Sequence, residues 1–185
     1  METITETRYQ RALKRNIDET GRAILERKAM IGLEVADTYH SMDFIGLSYD
    51  ALFNDMIAHA IKVLENRKGD ASFWYIYNCQ KDRVDNFVQQ KSIDFAKLQS
   101  LTEKLKHIRD KTHFHIDRDA VKAPEKVWDD AGVKGSELAR GIDDLWVILN
   151  YLYKIEFKMN FPCPDYNGND AIQIAKYAQK INKNL

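Results

Sequence analysis

The sequence has little cysteine and little proline, and both shortages limit what the chain can be. Its 185 residues include two cysteines, Cys79 and Cys163, and three prolines. A lone cysteine pair without the dense spacing of secreted scaffolds is typical of reduced thiols in a cytosolic protein. Two cysteines so far apart also exclude a zinc knuckle. An apolar core must therefore stabilise the fold, and a chain of this length can bury one.

Long apolar runs and an excess of one charge are absent as well. No apolar stretch is long enough to span a bilayer, and the N-terminus carries Glu2 and Glu6 where a secretory leader has an apolar segment. We therefore expect a cytoplasmic protein with no membrane partner. The 28 basic residues balance 28 acidic ones, unlike the composition of a protein that coats nucleic acid.

Any contact with RNA must therefore be local. One candidate is a basic run in the first helix that contains no acidic residue, although a solvated helix face explains it better. The run consists of Arg8, Arg11, Lys14 and Arg15.

What the sequence does contain is a series of amphipathic segments. Between the few prolines and glycines that interrupt helices, apolar residues recur every three or four positions, which is the spacing of helices that bury one face. The pattern predicts an all-α fold, an up-and-down helical bundle of about five or six helices in a single domain spanning residues 1–185. We expect an N-terminal helix at about 3–31, a core at about 40–160 with a strong helix opening at Ser136, and a C-terminal helix at about 170–184.

Local chemistry predicts where other helices begin and end. A second helix at about 38–67 ends in two basic residues and a glycine, which is typical of a helix C-terminus. Asp70 is the expected cap of a short aromatic segment at 73–77, for which the pattern leaves helix and strand open. Ser92 is the expected cap of the next helix, whose apolar stripe ends at Ile108.

The densest polar cluster in the chain follows that stripe. Continued from Ile108 by its own step, the stripe reaches Thr112 and then His115, where packing alone would favour leucine. A core histidine satisfied by a backbone carbonyl or by Asp117 is one explanation. The presence of Arg109 favours a second explanation, which is a site for RNA cleavage without a metal.

Arginine and histidine supply the two functional groups that such cleavage needs. A guanidinium offers a permanent charge with fixed donors to a phosphate as negative charge develops on it. An imidazole titrates near neutrality, so it can move protons to and from the ribose 2′-hydroxyl or the leaving oxygen. On a straight helix Arg109 and His115 point about 120° apart. Either the helix breaks between them, or two chains of a homodimer share the site across a two-fold axis.

Arg109, Asp110 and His115, with five residues between the arginine and the histidine, resemble the signature of the HEPN superfamily of helical ribonuclease and RNA-associated domains. The stretch Ile108 to Asp117 is also similar to a pattern in HEPN-like proteins related to phage abortive-infection systems. The resemblance implies a helical bundle, homodimerisation and metal-independent endoribonuclease activity, as in toxins of toxin–antitoxin pairs and phage-defence effectors. RNA and an antitoxin protein are the partners that it implies.

The resemblance also implies residue roles. Arg109 would stabilise the scissile phosphate, and His115 would act as general acid or base. Asp110 and Asp117 would orient these groups, or hold the interface, through hydrogen bonds. Some HEPN toxins carry a tyrosine two positions after the histidine, where a partner enzyme modifies them, and Asp117 occupies that position here.

Neighbouring residues have supporting roles or alternative ones. His113 could replace His115 at a shorter spacing, and Lys111 and Arg118 would contact the RNA backbone. His113, His115 and Asp117 also mimic an alternating hydrolase metal motif, but that chemistry needs histidines further along a β-rich scaffold, and His115 is the last histidine. We expect no metal and no cofactor.

Two classes of function follow from these residues. The first is a dimeric ribonuclease that uses Arg109 and His115. The second is a non-catalytic HEPN-like module that binds RNA or a partner protein. The sequence favours the enzyme.

Overall fold

The computed structural model describes residues 6–35, 42–113, 124–162 and 165–182. Within these ranges the regular elements are helices and none is a strand, so the prediction of an all-α fold is confirmed. Eight α-helices are present in the described residues, more than the five or six predicted. They are α1 (Arg8–Glu34), α2 (Asp43–Leu64), α3 (Phe73–Cys79), α4 (Lys81–Gln90), α5 (Phe95–Ile108), α6 (Pro124–Ala131), α7 (Gly135–Phe157) and α8 (Asn169–Asn182).

These helices form two compact units. The described residues of Met1–Thr20 and Ala60–Phe161 form unit 1, and those of Gly21–His59 and Pro162–Leu185 form unit 2. Helices α1 and α2 contribute residues to both units. Of the helices just named, none combines the length and apolar character needed to cross a membrane.

Unit 1 is organised around α5 and α7, which pack against each other. The predicted stripe on α5 is buried, with each of its side chains at most 2% exposed: Leu98, Leu101, Leu105 and Ile108. Burial of one such side chain stabilises the fold by about 1.5–3 kcal/mol. Gly141 on α7 allows the close approach, because a methyl group there would overlap the Leu101 side chain. Helix α5 also contacts α6, and α4 contacts α3 and α7.

Two predicted caps were wrong. Helix α5 is capped by Asp94, whose carboxylate accepts a hydrogen bond from the Lys97 backbone N–H at 3.2 Å. Ser92 instead adopts a left-handed backbone with φ of 54°, so the chain turns there and the helix starts two residues later. The N-cap of α3 is Ser72 rather than Asp70, and its side chain makes no capping hydrogen bond.

The predicted bounds of α2 and α3 are also refined. Helix α2 ends at Leu64 rather than near residue 67, because the chain turns at Gly69 with φ of 100° and Asp70 N–H donates to Arg67 O. The aromatic segment that follows is helical. Its indole Trp74 Nε1 donates to Leu64 O at 2.9 Å, which fixes α3 against the end of α2.

In unit 2, α1 and α8 approach each other at two glycines. A methyl group on Gly32 would lie 2.8 Å from both Ala171 Cβ and Gly168 O. Gly168 has φ of +79°, and a methyl group there would lie 2.6 Å from Lys28 O. Because these neighbours are mostly backbone atoms, neither position accepts a side chain without movement of a helix.

We therefore expect Gly32→Ala to lower the free energy of unfolding by up to about 2 kcal/mol. The cost of overpacking is about 1–3 kcal/mol, and the better helix propensity of alanine offsets about 1 kcal/mol of it. Urea denaturation followed by circular dichroism measures the difference. Gly135→Ala is the matched control, since a methyl group there meets nothing within 4 Å. A Gly32 variant that is about 1 kcal/mol more stable than the wild type, as helix propensity alone would make it, would contradict the close approach.

Candidate functional site

The candidate site lies where α5 ends. The Arg109 backbone remains helical, with φ of −55° and ψ of −49°, and its N–H donates to Leu105 O and Lys106 O. From Arg109 to His113 the helix widens into a π-helical segment. Such segments are rare and are frequent at functional sites. Through this segment, side chains no longer follow the 100° step of a straight α-helix.

Arg109 is buried, and carboxylates surround its guanidinium. Its side chain is 7% exposed. Nε donates to Asp110 Oδ1 at 2.8 Å, Nη2 donates to the same oxygen, and Nη1 donates to Glu65 Oε1. Each of the three guanidinium nitrogens therefore has a charged acceptor, which fixes the plane of the group.

Glu65 comes from the chain just beyond α2. Its backbone N–H still donates to Ile61 O at 2.8 Å, so the first residue after the helix keeps a helical hydrogen bond. The same carboxylate oxygen that accepts from Arg109 also lies 2.7 Å from Arg67 Nε. Glu65 therefore bridges one buried and one exposed guanidinium, and it joins the end of α2 to the end of α5.

Asp110 lies in a positively charged environment. The hydrogen bond from Arg109 lowers the pKa of the Asp110 carboxyl below its ordinary value, and burial opposes this shift. The charges of Arg109, Arg67 and Lys106 lower the pKa further. The carboxylate is therefore ionised at neutral pH and accepts hydrogen bonds without donating any.

A small cavity of about 70 Å³ adjoins Arg109. Residues at the end of α2 and along α5 line it, among them Glu65, Arg67, Thr102, Glu103 and Lys106. Both signs of charge meet at its wall. The described residues contain no group of three histidine, cysteine, aspartate or glutamate side chains that could hold a metal ion.

The structure brings together only part of the predicted set. Arg109 and Asp110 are in contact, and Lys111 is half-buried and engaged in an interaction of its own. The backbone of His113 lies in the π-helical segment. His115, and with it two further predicted residues, lies outside the described residues: Asp117 and Arg118.

Glu65 was not among the predicted site residues. One signal was available, because a carboxylate near the C-terminus of a helix is unfavourable in the field of the helix dipole. A glutamate at that position is therefore expected to have a cationic partner. The sequence does not show that this partner is Arg109, which is 44 residues away.

The basic run of α1 does not form a free patch. Each of its four side chains has a contact within unit 1. These contacts are Arg8 with Gly69 O and the Tyr75 ring, Arg11 with Glu6 O, Lys14 with the Glu6 carboxylate, and Arg15 with the Glu19 carboxylate.

Comparisons of this chain with protein-family models, with curated proteins and with solved structures gave no match.

The Arg109–Glu65 pair should contribute a measurable coupling energy. We expect a double-mutant cycle of Arg109→Ala and Glu65→Ala to give about 1–3 kcal/mol in the free energy of unfolding, because both side chains are largely withdrawn from water. The cycle of Arg67→Ala with Glu65→Ala is the control. Arg67 is 59% exposed, so its coupling should stay below about 1 kcal/mol. Equal couplings in the two cycles would show that the burial of Arg109 has no energetic consequence.

Proposed function

We propose that this chain is a HEPN-like, metal-independent endoribonuclease. Arg109 stabilises the scissile phosphate, and His115 acts as general acid or base. The observation that carries the proposal is the fixed, buried guanidinium of Arg109 at the point where α5 becomes π-helical. Preorganised charge of this kind stabilises a transition state without reorganising during the reaction.

Two carboxylates account for the orientation of that guanidinium. Glu65 and Asp110 accept from its three nitrogens, as partners that orient an active-site side chain commonly do. Arginine has five N–H groups in a planar fork, and these contacts use three of them. A phosphate oxygen therefore approaches a group whose plane is already set.

Local cations favour the approach of RNA although the whole chain is neutral. Arg67 and Lys106 line the cavity beside Arg109, and Lys111 follows Asp110 directly. Arg67 and Lys106 are exposed, and exposed cations attract a phosphate backbone by a salt-dependent term. We propose that Lys111 and Arg118 contact the backbone, and that Asp117 and His113 support the catalytic pair.

The π-helical segment bears on how Arg109 and His115 meet. The angle of about 120° between the Arg109 and His115 side chains holds only for a regular α-helix. From Arg109 to His113 the backbone is π-helical instead, so this angle does not apply. A site within one chain and a site shared by two chains are therefore both compatible with the described backbone. We keep the homodimer as part of the proposal.

Unit 2 contains positions that could form an interface of that dimer. Several of its large apolar side chains are exposed, and exposed apolar side chains that form one contiguous patch mark an interaction surface. Those exposed in unit 2 are Ile31, Val35, Phe44, Leu47, Ile174, Tyr177 and Ile181. A toxin-like ribonuclease of the cytoplasm, restrained by an antitoxin protein and active in phage defence, is the biological setting that we propose.

A second function is favoured by the same ion pairs. Because Glu65 and Asp110 already neutralise Arg109, the described geometry also suits a non-catalytic HEPN-like module that binds RNA or a protein. In that case the buried arginine would serve to join α2 and α5. The two functions differ in whether the wild-type protein cleaves RNA.

We expect purified protein to cleave mixed RNA in the presence of EDTA, and His115→Ala to lower the rate by at least about 100-fold, the usual contribution of a general acid or base. Arg109→Ala should lower the rate by a similar factor. Gel electrophoresis of the products measures both. Circular dichroism of each variant shows whether the fold is retained.

His107→Ala is the matched control, because His107 is an exposed histidine on α5. It should cleave at the wild-type rate. A wild-type protein that leaves RNA intact, or a folded His115→Ala variant that retains full activity, would overturn the nuclease and leave the binding module.

We expect the wild-type protein to have the mass of two chains in light scattering, and Phe44→Glu with Tyr177→Glu to reduce it to one. Phe44 and Tyr177 are 77% and 68% exposed, so the charges should disrupt an interface without unfolding the chain. Val147→Glu, at an exposed apolar position of unit 1, is the control and should remain dimeric. A wild-type mass of one chain would exclude the dimer.

A further inference from the structure

Unit 1 contains a second, larger cavity of about 430 Å³, between the residues after α2, helix α3 and helix α5. This volume is in the range of about 300–1,000 Å³ that small-molecule sites usually occupy. Amide, hydroxyl and carboxylate side chains dominate its polar lining. They are Asn66, Asn78, Gln99, Ser100 and Glu103, and we call this cavity the amide pocket.

The aromatic wall of the amide pocket is rigid. Trp74 and Tyr77 line it, and their rings meet edge to face with centroids 6.0 Å apart. The Trp74 indole N–H is bound to Leu64 O, and the Tyr77 hydroxyl donates to Asp85 Oδ1 at 3.0 Å. The polar groups of both rings are therefore satisfied elsewhere. Because Trp74 is only 6% exposed, the half-buried Tyr77 ring supplies most of the apolar surface of this wall.

The amide pocket adjoins the Arg109 site. Asn66, Thr102 and Glu103 line both this pocket and the small cavity beside Arg109. Thr102 is buried, whereas Asn66 and Glu103 are exposed. A ligand that lies across Asn66 and Glu103 therefore reaches from the small cavity beside Arg109 to the amide pocket.

From this juxtaposition we infer that the amide pocket binds one nucleobase of single-stranded RNA, with guanine preferred, while Arg109 contacts a nearby phosphate of the same strand. The inference rests on the proposed function, and it adds the base that the site selects. Single-stranded RNA is recognised in general through the edges of its unstacked bases and through aromatic side chains.

The chemistry of the lining favours a base over an anion. Amides offer donors and acceptors together, as the edges of bases do. Among the described lining residues Glu103 has the one carboxyl group, and a carboxylate, which only accepts hydrogen bonds, repels a phosphate. Guanine presents two adjacent donors, its ring N–H and its amino group, to the two oxygens of one carboxylate. The other three bases have no such pair on that edge.

Binding to short 2′-O-methyl oligonucleotides tests the inference, because these probes lack the 2′-hydroxyl and are not cleaved. The probes are an oligouridine and the same strand with one central guanine, adenine or cytosine, each carrying a fluorophore for anisotropy. We expect the wild type to bind the guanine probe about tenfold more tightly than oligouridine, as one good bidentate contact provides. Glu103→Gln should lose that ratio.

Two further variants sharpen the test. Gln99→Ala, a change at a second lining residue, should also reduce the guanine ratio. Gln89→Ala changes an exposed glutamine on α4 outside the pocket and should keep the ratio. Because the ratio compares probes of equal charge, it is unaffected by the general gain in affinity for RNA when Glu103 loses its charge.

The outcomes separate this inference from the nuclease. Equal affinity of the wild type for all four probes, or a Glu103→Gln variant that keeps the guanine ratio, overturns the pocket whether or not the protein cleaves RNA. A guanine ratio that depends on Glu103 supports the pocket even if no cleavage occurs in EDTA. In that case the nuclease fails and a base-selective RNA-binding module remains.

Discussion

A buried charge must be paired with an opposite charge, and in this fold the buried charge is the guanidinium of Arg109. An unpaired cation at this burial costs several kcal/mol, so Glu65 and Asp110 are tied to it. The ends of α2 and α5 are joined as a result. Apolar side chains in the same places usually give equal or greater stability. Packing alone therefore does not explain an arginine here; the proposed contact with a phosphate would explain it.

The sequence predicts well whatever depends on near neighbours along the chain. The stripe on α5 follows from a repeat of three and four residues, and its four apolar members are buried. The contact of Arg109 with Asp110 joins adjacent residues. The contact with Glu65 joins two helices, and no local pattern encodes which carboxylate meets which cation. The π-helical segment was not predicted either, because no local pattern in its sequence distinguishes it from an ordinary helix end.

The errors at helix ends have a related cause. Serine and aspartate are nearly equal as caps, so composition does not choose between Ser92 and Asp94. The choice is made by the backbone, which takes a left-handed conformation at Ser92. Helix α4 was not predicted because it is short and mostly polar, and it buries only Val84, Phe87 and Val88. A helix of this kind is held by tertiary packing more than by its own propensity.

Charge balance links the small cavity beside Arg109 with the amide pocket. Affinity for nucleic acid usually comes from counterion release by many cations. This chain has no excess of positive charge, and carboxylates already pair with Arg109. In the proposed RNA complex, net charge would therefore contribute little to affinity. Such a complex requires contacts that do not depend on net charge, and hydrogen bonds to a base beside Trp74 and Tyr77 would be contacts of that kind. Weak phosphate binding combined with the proposed base pocket would make selection of sequence a larger share of the total affinity.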